Sequence, residues 1–525
     1  MNKNKFRLSI IAAAVLAVAG CKSGGSSDTT STTKSTGTAS FPSGLAVASP
    51  TARSTGSARI VAGKVSAAVA APSGSQYAWA TEKIADLLSG TALAKDVFDV
   101  NMLTQSGGNA TCYGPTMKYI DHPNTNSGPT GPGELPSGDL GIWTESDGSG
   151  TVCAAAELNQ QLKGVSSHTI MGLMGLASMV SVAKTAGLTI PSAGSSLDLL
   201  AAMNAAGIPN VTFTTATLAL SADGTTWSYT LALDFTQMMK TRSIVLSLLH
   251  VPGATDNEYK GMLTYRVDSD AMGGNCGMGV TDATINGTLY YDRSSATSLL
   301  VNAREGGYCD KGVTGATIAD SDVDASSTYQ FLDPAALYDG TTKTNGWANS
   351  FSGFSGKFNP STQEGDYVYA WQAGKNDSNS RTFQMHVDAD AATGEAYFGF
   401  GDAISTTDGS IQGMICNWAG PGNSHTTLDY VQRQSIAFDG AKFIVGTSGS
   451  DITYAPTTTC AYEGTPSGFY YDRDQNQTAN SSDVVLVYSS MTAPSGEFDL
   501  DLMKKDTAVS VQAAITARGF TLPPF

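Results

Sequence analysis

Charge is scarce in this chain: 14% of its 525 residues are charged, against 41% hydrophobic ones. Histidine is scarcer still. The five residues His122, His168, His250, His386 and His425 stand far apart, without metal-ligand spacing. No His-Glu-x-x-His, Gly-x-Ser-x-Gly or Gly-rich nucleotide fingerprint occurs, so the metalloprotease, serine-hydrolase and dinucleotide-binding readings have nothing to start from. Nor is there a Cys-x-x-Cys or Cys-x-x-Cys-His, which disfavours structural zinc and c-type haem. No uninterrupted apolar run reaches the roughly 20 residues of a membrane-spanning helix. Basic residues number 30 against 46 acidic ones, and the resulting charge of −16 repels nucleic acid and anionic lipid headgroups.

What is present begins at the N-terminus. Lys3, Lys5 and Arg7 precede an apolar stretch from Leu8 to Val18, too short to span a bilayer but suited to the h-region of a secretory signal. Val18-Ala19-Gly20-Cys21 then resembles the bacterial lipobox. That resemblance covers residues 1–21 alone. It implies cleavage before Cys21, lipid on its sulfur and amine, and a mature chain anchored to the bacterial cell envelope. Lipoproteins of this class often keep an aspartate after the cysteine when they stay in the inner membrane; Lys22 here implies the outer one. Two or more acyl chains give stable anchoring where one is marginal.

Cys21 leaves six cysteines: Cys112, Cys153, Cys276, Cys309, Cys416 and Cys460. An even number in an oxidising compartment predicts three disulfides, although sequence alone leaves the pairing open. Pairing of sequence neighbours would close loops of roughly 30–45 residues, each worth up to about 4 kcal/mol in the chain-entropy model.

Along the chain, residues 1–20 read as the signal peptide and 21–76 as the lipidated cysteine followed by a flexible Ser/Thr/Gly tether. Within that tether the apolar patches Leu45-Ala46-Val47 and Ile60-Val61-Ala62 are candidates for local docking. Residues 77–209 read as mainly helical, with helices over 77–88, 153–163, 166–186 and 196–206 and a long Pro/Gly-rich loop over 121–149. The stretch around Ile170-Met171-Gly172-Leu173-Met174-Gly175-Leu176 is apolar almost all round, as a buried central helix would be.

After Pro209 the hydrophobic period changes to two. Asp223-Gly224, Asn286-Gly287 and Asp439-Gly440 each lie between alternating runs, the pattern of a hairpin turn. Residues 210–503 therefore read as antiparallel β, and 504–525 as a tail with a short helix over 508–517. The expected class is α+β: a helical N-terminal region, then a large antiparallel region built as a meander curled into a half-barrel or as a sandwich.

Three constellations carry possible chemistry. Asp472, Asp474, Asn476, Asn480 and Asp483 alternate like the oxygen ligands of a calcium loop. Gln477 stands where that loop needs glycine and Asp483 where it uses glutamate, so a polar hairpin loop is the simpler account. The triplet Asp320, Asp322 and Asp324 is a weaker version. His386, Asp388 and Asp390 would share one face of a strand, which a solvated face also explains. His425 with Asp429 is a pairing that chance supplies. The expected function is a membrane-anchored surface or periplasmic module that binds an envelope component or serves as structure. Its alternative is a carrier of lipid or another apolar ligand in a β-lined cavity, with a hydrolytic enzyme third. No cofactor is called for beyond that calcium loop.

Overall fold

The computed structural model describes residues 39–48 in part, 76–91, 152–309 with breaks at 209, 238–239 and 271–280, and 350–401 with breaks at 374–379 and 390–392. It also describes 430–447, the short strands at 118–119, 414–415, 427–428, 460–464, 467–471 and 484–486, and single residues 146 and 150. The protein is mainly β, built on one large antiparallel sheet with few helices.

Thirteen strands form that sheet: β2 (Ser196–Asp198), β3 (Val211–Leu220), β4 (Trp227–Gln237), β5 (Lys240–Pro252), β6 (Tyr259–Asp270), β7 (Asp282–Ser295), β8 (Ser298–Cys309), β9 (Ser350–Phe358), β10 (Gly365–Ala373), β11 (Ser380–Val387), β12 (Thr393–Gly401), β15 (Tyr430–Phe438) and β16 (Phe443–Val445). Each pairs antiparallel with its neighbour in this order, so the sheet is one meander and not a sandwich. A four-stranded sheet orders β1 (Lys118–Tyr119), β17 (Cys460–Gly464), β18 (Ser467–Tyr471) and β19 (Val484–Leu486), and β13 (Met414–Ile415) pairs with β14 (Thr427–Leu428).

Alternation gives the large sheet an apolar face. Leu231, Leu246, Leu263, Leu289, Val301, Phe354, Tyr369 and Phe383 on successive strands are all buried in one core. Against it lies α2 (Cys153–Thr185), a single 33-residue helix. The sequence suggests two helices here, over 153–163 and 166–186. The structure joins them: Gly164 sits inside the helix, where a Cβ would make an ordinary contact with Glu305 of β8 at 3.5 Å.

The helix crosses the strands. Val152, just before it, donates its amide to Phe443 O of β16 at 2.9 Å. Further along, Gly172 lies on Leu263 and Leu246 of β6 and β5, and Gly175 on Leu246 and Leu231 of β5 and β4. From Val152 to Gly175 the helical rise is about 35 Å, at 1.5 Å per residue. From β16 to β4 the sheet spans ten strand spacings, about 48 Å at 4.8 Å each. A straight chord shorter than the path it subtends requires that path to arc. The sheet curls around its helix, which also touches β10, β11 and β12.

Two shorter helices complete this layer. In α1 (Gln76–Ser89), Ile84 and Leu87 join the core, and Lys184 Nζ of α2 donates to Leu88 O at 2.5 Å. Gly90, at φ +76, ends it. The expected helix over 196–206 is shorter: β2 pairs with β3, and only α3 (Leu200–Ala205) is helical. The reason is the open edge of β3. Asn204 stands in for a strand there, donating from Nδ2 to Phe213 O at 3.1 Å and accepting from Phe213 N at 2.9 Å.

Two of the three expected turns are present. Gly224 (φ +75) and Gly440 (φ +101) sit in them, and the carboxylates of Asp223 and Asp439 accept the amides of Thr225 and of Ala441 and Lys442 at 2.8–3.0 Å. Asn286-Gly287 is not a turn. It runs through the middle of β7, opposite Arg266 and Tyr265. The glycine is needed because the Tyr265 ring lies where its Cβ would be. Gly261 and Tyr291 repeat the arrangement with the strands exchanged.

The described part of residues 39–48, which includes Leu45 and Val47 of the apolar patch named as a docking candidate, lies on the core. Ala39, Phe41, Leu45 and Val47 are buried in the core, with Val47 at 0% exposure. The patch Ile60-Val61-Ala62 and the tail 504–525 lie outside the described residues.

Candidate functional site

Polar side chains gather at three places. The first is the contact between α2 and the sheet. His168 points from the helix to Glu305 of β8, with Nδ1 2.6 Å from Oε2, and Tyr265 of β6 donates its hydroxyl to the same oxygen at 2.8 Å. His168 is 5% exposed. Burial alone would lower its pKa, but the adjacent Glu305 charge and hydrogen bond outweigh that and raise it above the ordinary value. One carboxylate thus ties the helix to two strands.

The second lies on the same face toward one end of the strands. His250 of β5 is buried at 1% exposure, with Nδ1 3.0 Å from the Tyr291 hydroxyl and Nε2 3.2 Å from Ser40 Oγ. Burial pushes its pKa down to about 3, so the ring is neutral, with one nitrogen donating and the other accepting. Tyr229 donates to Ser40 O, and the Arg293 guanidinium lies 5.8 Å from the Tyr259 ring centre. The Ser40–His250–Tyr291 chain resembles a nucleophile with its base. A ring neutral down to about pH 3 is, however, a poor proton acceptor near neutrality. Its evident work is to hold Ser40.

The third is on the opposite, outer face. His386 of β11 hydrogen-bonds through Nδ1 to Asp366, its partner on β10, and through Nε2 to Asp388 at 3.1 Å. Asp388 also accepts from Thr393 Oγ1 at 2.6 Å. Of the expected His386, Asp388 and Asp390, the structure brings the first two together. Asp390 lies outside the described residues. Asp366 was not anticipated because it comes from a neighbouring strand, and only the β10–β11 register places it there. The two carboxylates engage opposite ring nitrogens, so all three groups cannot converge on one ion. Among the described residues no group of three or more His, Cys, Asp or Glu side chains is placed to hold a metal.

Cys21, Cys112, Cys276 and Cys416 lie outside the described residues, as do the calcium-loop residues Asp472, Asp474, Asn476, Asn480 and Asp483. So do His122, His425, Asp429, Asp320, Asp322 and Asp324. The backbone alone is described for Cys153, at the start of α2, Cys309, at the end of β8, and Cys460, at the start of β17. Glu305, Tyr265, Ser40 and Tyr291 were also missed. Their partners lie 40 to 210 residues away, and no local pattern marks such pairs. The chain matches no protein-family model, no curated protein and no solved structure.

Proposed function

We propose that the chain is a lipid-anchored envelope lipoprotein, held through Cys21 at the outer membrane, that acts as a surface or periplasmic binding or structural module. The packing of α2 across the inner face of the sheet carries this reading. A carrier of apolar ligands needs an open apolar lining, and here Leu231, Leu246 and Leu263 are spent on the protein's own helix. The window Gly164–Thr185 is long and apolar enough to cross a membrane by composition, but 89% of it is buried inside the protein, as in a core helix. The helices of 77–209 serve here as an internal support, which makes the organisation α+β. Contact with a partner then falls to the outer face and the loops.

Three measurements test this. Cys21→Ser should abolish labelling by palmitate and move the protein to the soluble fraction with an unchanged circular dichroism spectrum. Photo-crosslinkers placed beside His386 should capture discrete envelope species in intact cells. Native mass spectrometry that found a stoichiometric lipid inside the purified protein would favour the carrier instead.

A further inference from the structure

We propose that residues 39–48 are a strap that orients the molecule, holding the Ser40–His250 end of the sheet toward the bilayer. The inference rests on the anchoring of Cys21 and adds to it which end faces the membrane. Phe41 packs edge-on against Tyr229, at 5.6 Å and 87°. The Ser40 carbonyl accepts from Tyr229, and Ser40 Oγ pairs with His250 Nε2 at 3.2 Å. Gly44, at φ +72, passes beside Arg293, where a Cβ would lie 3.4 Å from the guanidinium. The strap therefore crosses from β4 and β5 to β7, always at the same end of the strands.

These contacts are integral to the fold. Tyr229 and His250 are almost fully buried, and Ser40 supplies a partner to each. Withdrawing the strap would take these partners from the Tyr229 hydroxyl and from His250 Nε2, leaving His250 only its bond to Tyr291, and an orphaned buried polar group is costly. Load from the anchor thus ends at Ser40 and does not pass to residue 76. Between Cys21 and Ala39 lie about 18 peptide steps, at most about 65 Å when taut and roughly 23 Å as a coil. A free chain over all of 21–76 would reach roughly 40 Å as a coil. Docking shortens the leash and gives it a fixed point of attachment.

The test is a pair of insertions in the full-length lipidated chain, reconstituted into phosphatidylethanolamine/phosphatidylglycerol vesicles. Twenty Gly/Ser residues go after Gly37 in one variant and after Ser57 in the other. A fluorophore at Thr297, beside the strap, reports energy transfer to a headgroup acceptor, and one at Lys240 reports on the far end. Transfer should be stronger at Thr297 than at Lys240. The insertion after Gly37 should reduce it about twofold, and the one after Ser57 should leave it unchanged. Equal effects of the two insertions, or equal transfer at the two labels, would overturn the proposal. Hydrogen exchange on the Cys21→Ser chain separates docking from anchoring. Protected amides at 39–48 with no vesicle binding by the wild type would reject the anchor and hence the orientation. Unprotected amides would reject the strap itself.

Discussion

Gly287 and Gly261 show what a single missing side chain does in this sheet. Each lies directly opposite a tyrosine, Tyr265 or Tyr291, whose ring folds across the space a Cβ would fill. Gly287→Ala should therefore cost about 1–3 kcal/mol by overpacking. In a double-mutant cycle with Tyr265→Ala the two losses should be less than additive, measured by urea denaturation. The buried histidines make opposite predictions for pH. His250 has its pKa lowered to about 3 in the folded protein, so its contribution is present above the unfolded value near 6.5 and lost as pH falls toward 3. His168 has a raised value, so its contribution is present below 6.5 and lost as pH rises through the folded value. For His250 the slope approaches one proton, about 1.4 kcal/mol per pH unit, within its window; for His168 the slope has the opposite sign. Unfolding midpoints from pH 4 to 9 should show His250→Gln removing the acid-side slope and His168→Gln the alkaline-side one.

Among the elements, α2 decides most. Its glycines set how closely it approaches the sheet: a Cβ on Gly175 would meet only the mobile end of Leu246 at 2.9 Å. Gly175→Ala should thus be near neutral, because Leu246 can turn aside and alanine is worth up to about 1 kcal/mol in a helix interior. Gly175→Leu should instead lose about 1–3 kcal/mol, since the helix would have to lift from β4 and β5. Thermal melts of the two variants check this. The helix itself was legible in the sequence, because an all-round apolar stretch has to be buried. Its length was not. The sequence reads as two helices, 153–163 and 166–186, and only packing of the whole length along the sheet makes them one. The Asn286-Gly287 hairpin failed for the same kind of reason, a ring from the neighbouring strand.

Over the whole molecule, the helix touches strands from β4 to β12 and so ties most of the meander into one core. Unfolding should be a single transition in which Trp fluorescence and far-ultraviolet circular dichroism coincide. Separate transitions would show that the helical layer melts apart from the sheet. The charge of −16 belongs to this scale too, as a statement about solubility and about partners repelled rather than about the fold.

The sequence by itself determined the β character, and the address proposed for the chain rests on it alone. Lipobox chemistry is contiguous, and alternation with period two is a local signal that backbone geometry enforces. It also located the buried helix and the turns at Asp223-Gly224 and Asp439-Gly440, where a positive φ and a nearby carboxylate suffice. Tertiary structure alone decided that the sheet curls, that α2 fills it and where the patch around Leu45 and Val47 docks. These depend on register, and register brings together groups hundreds of residues apart, such as Ser40 with His250 and Phe443 with Val152.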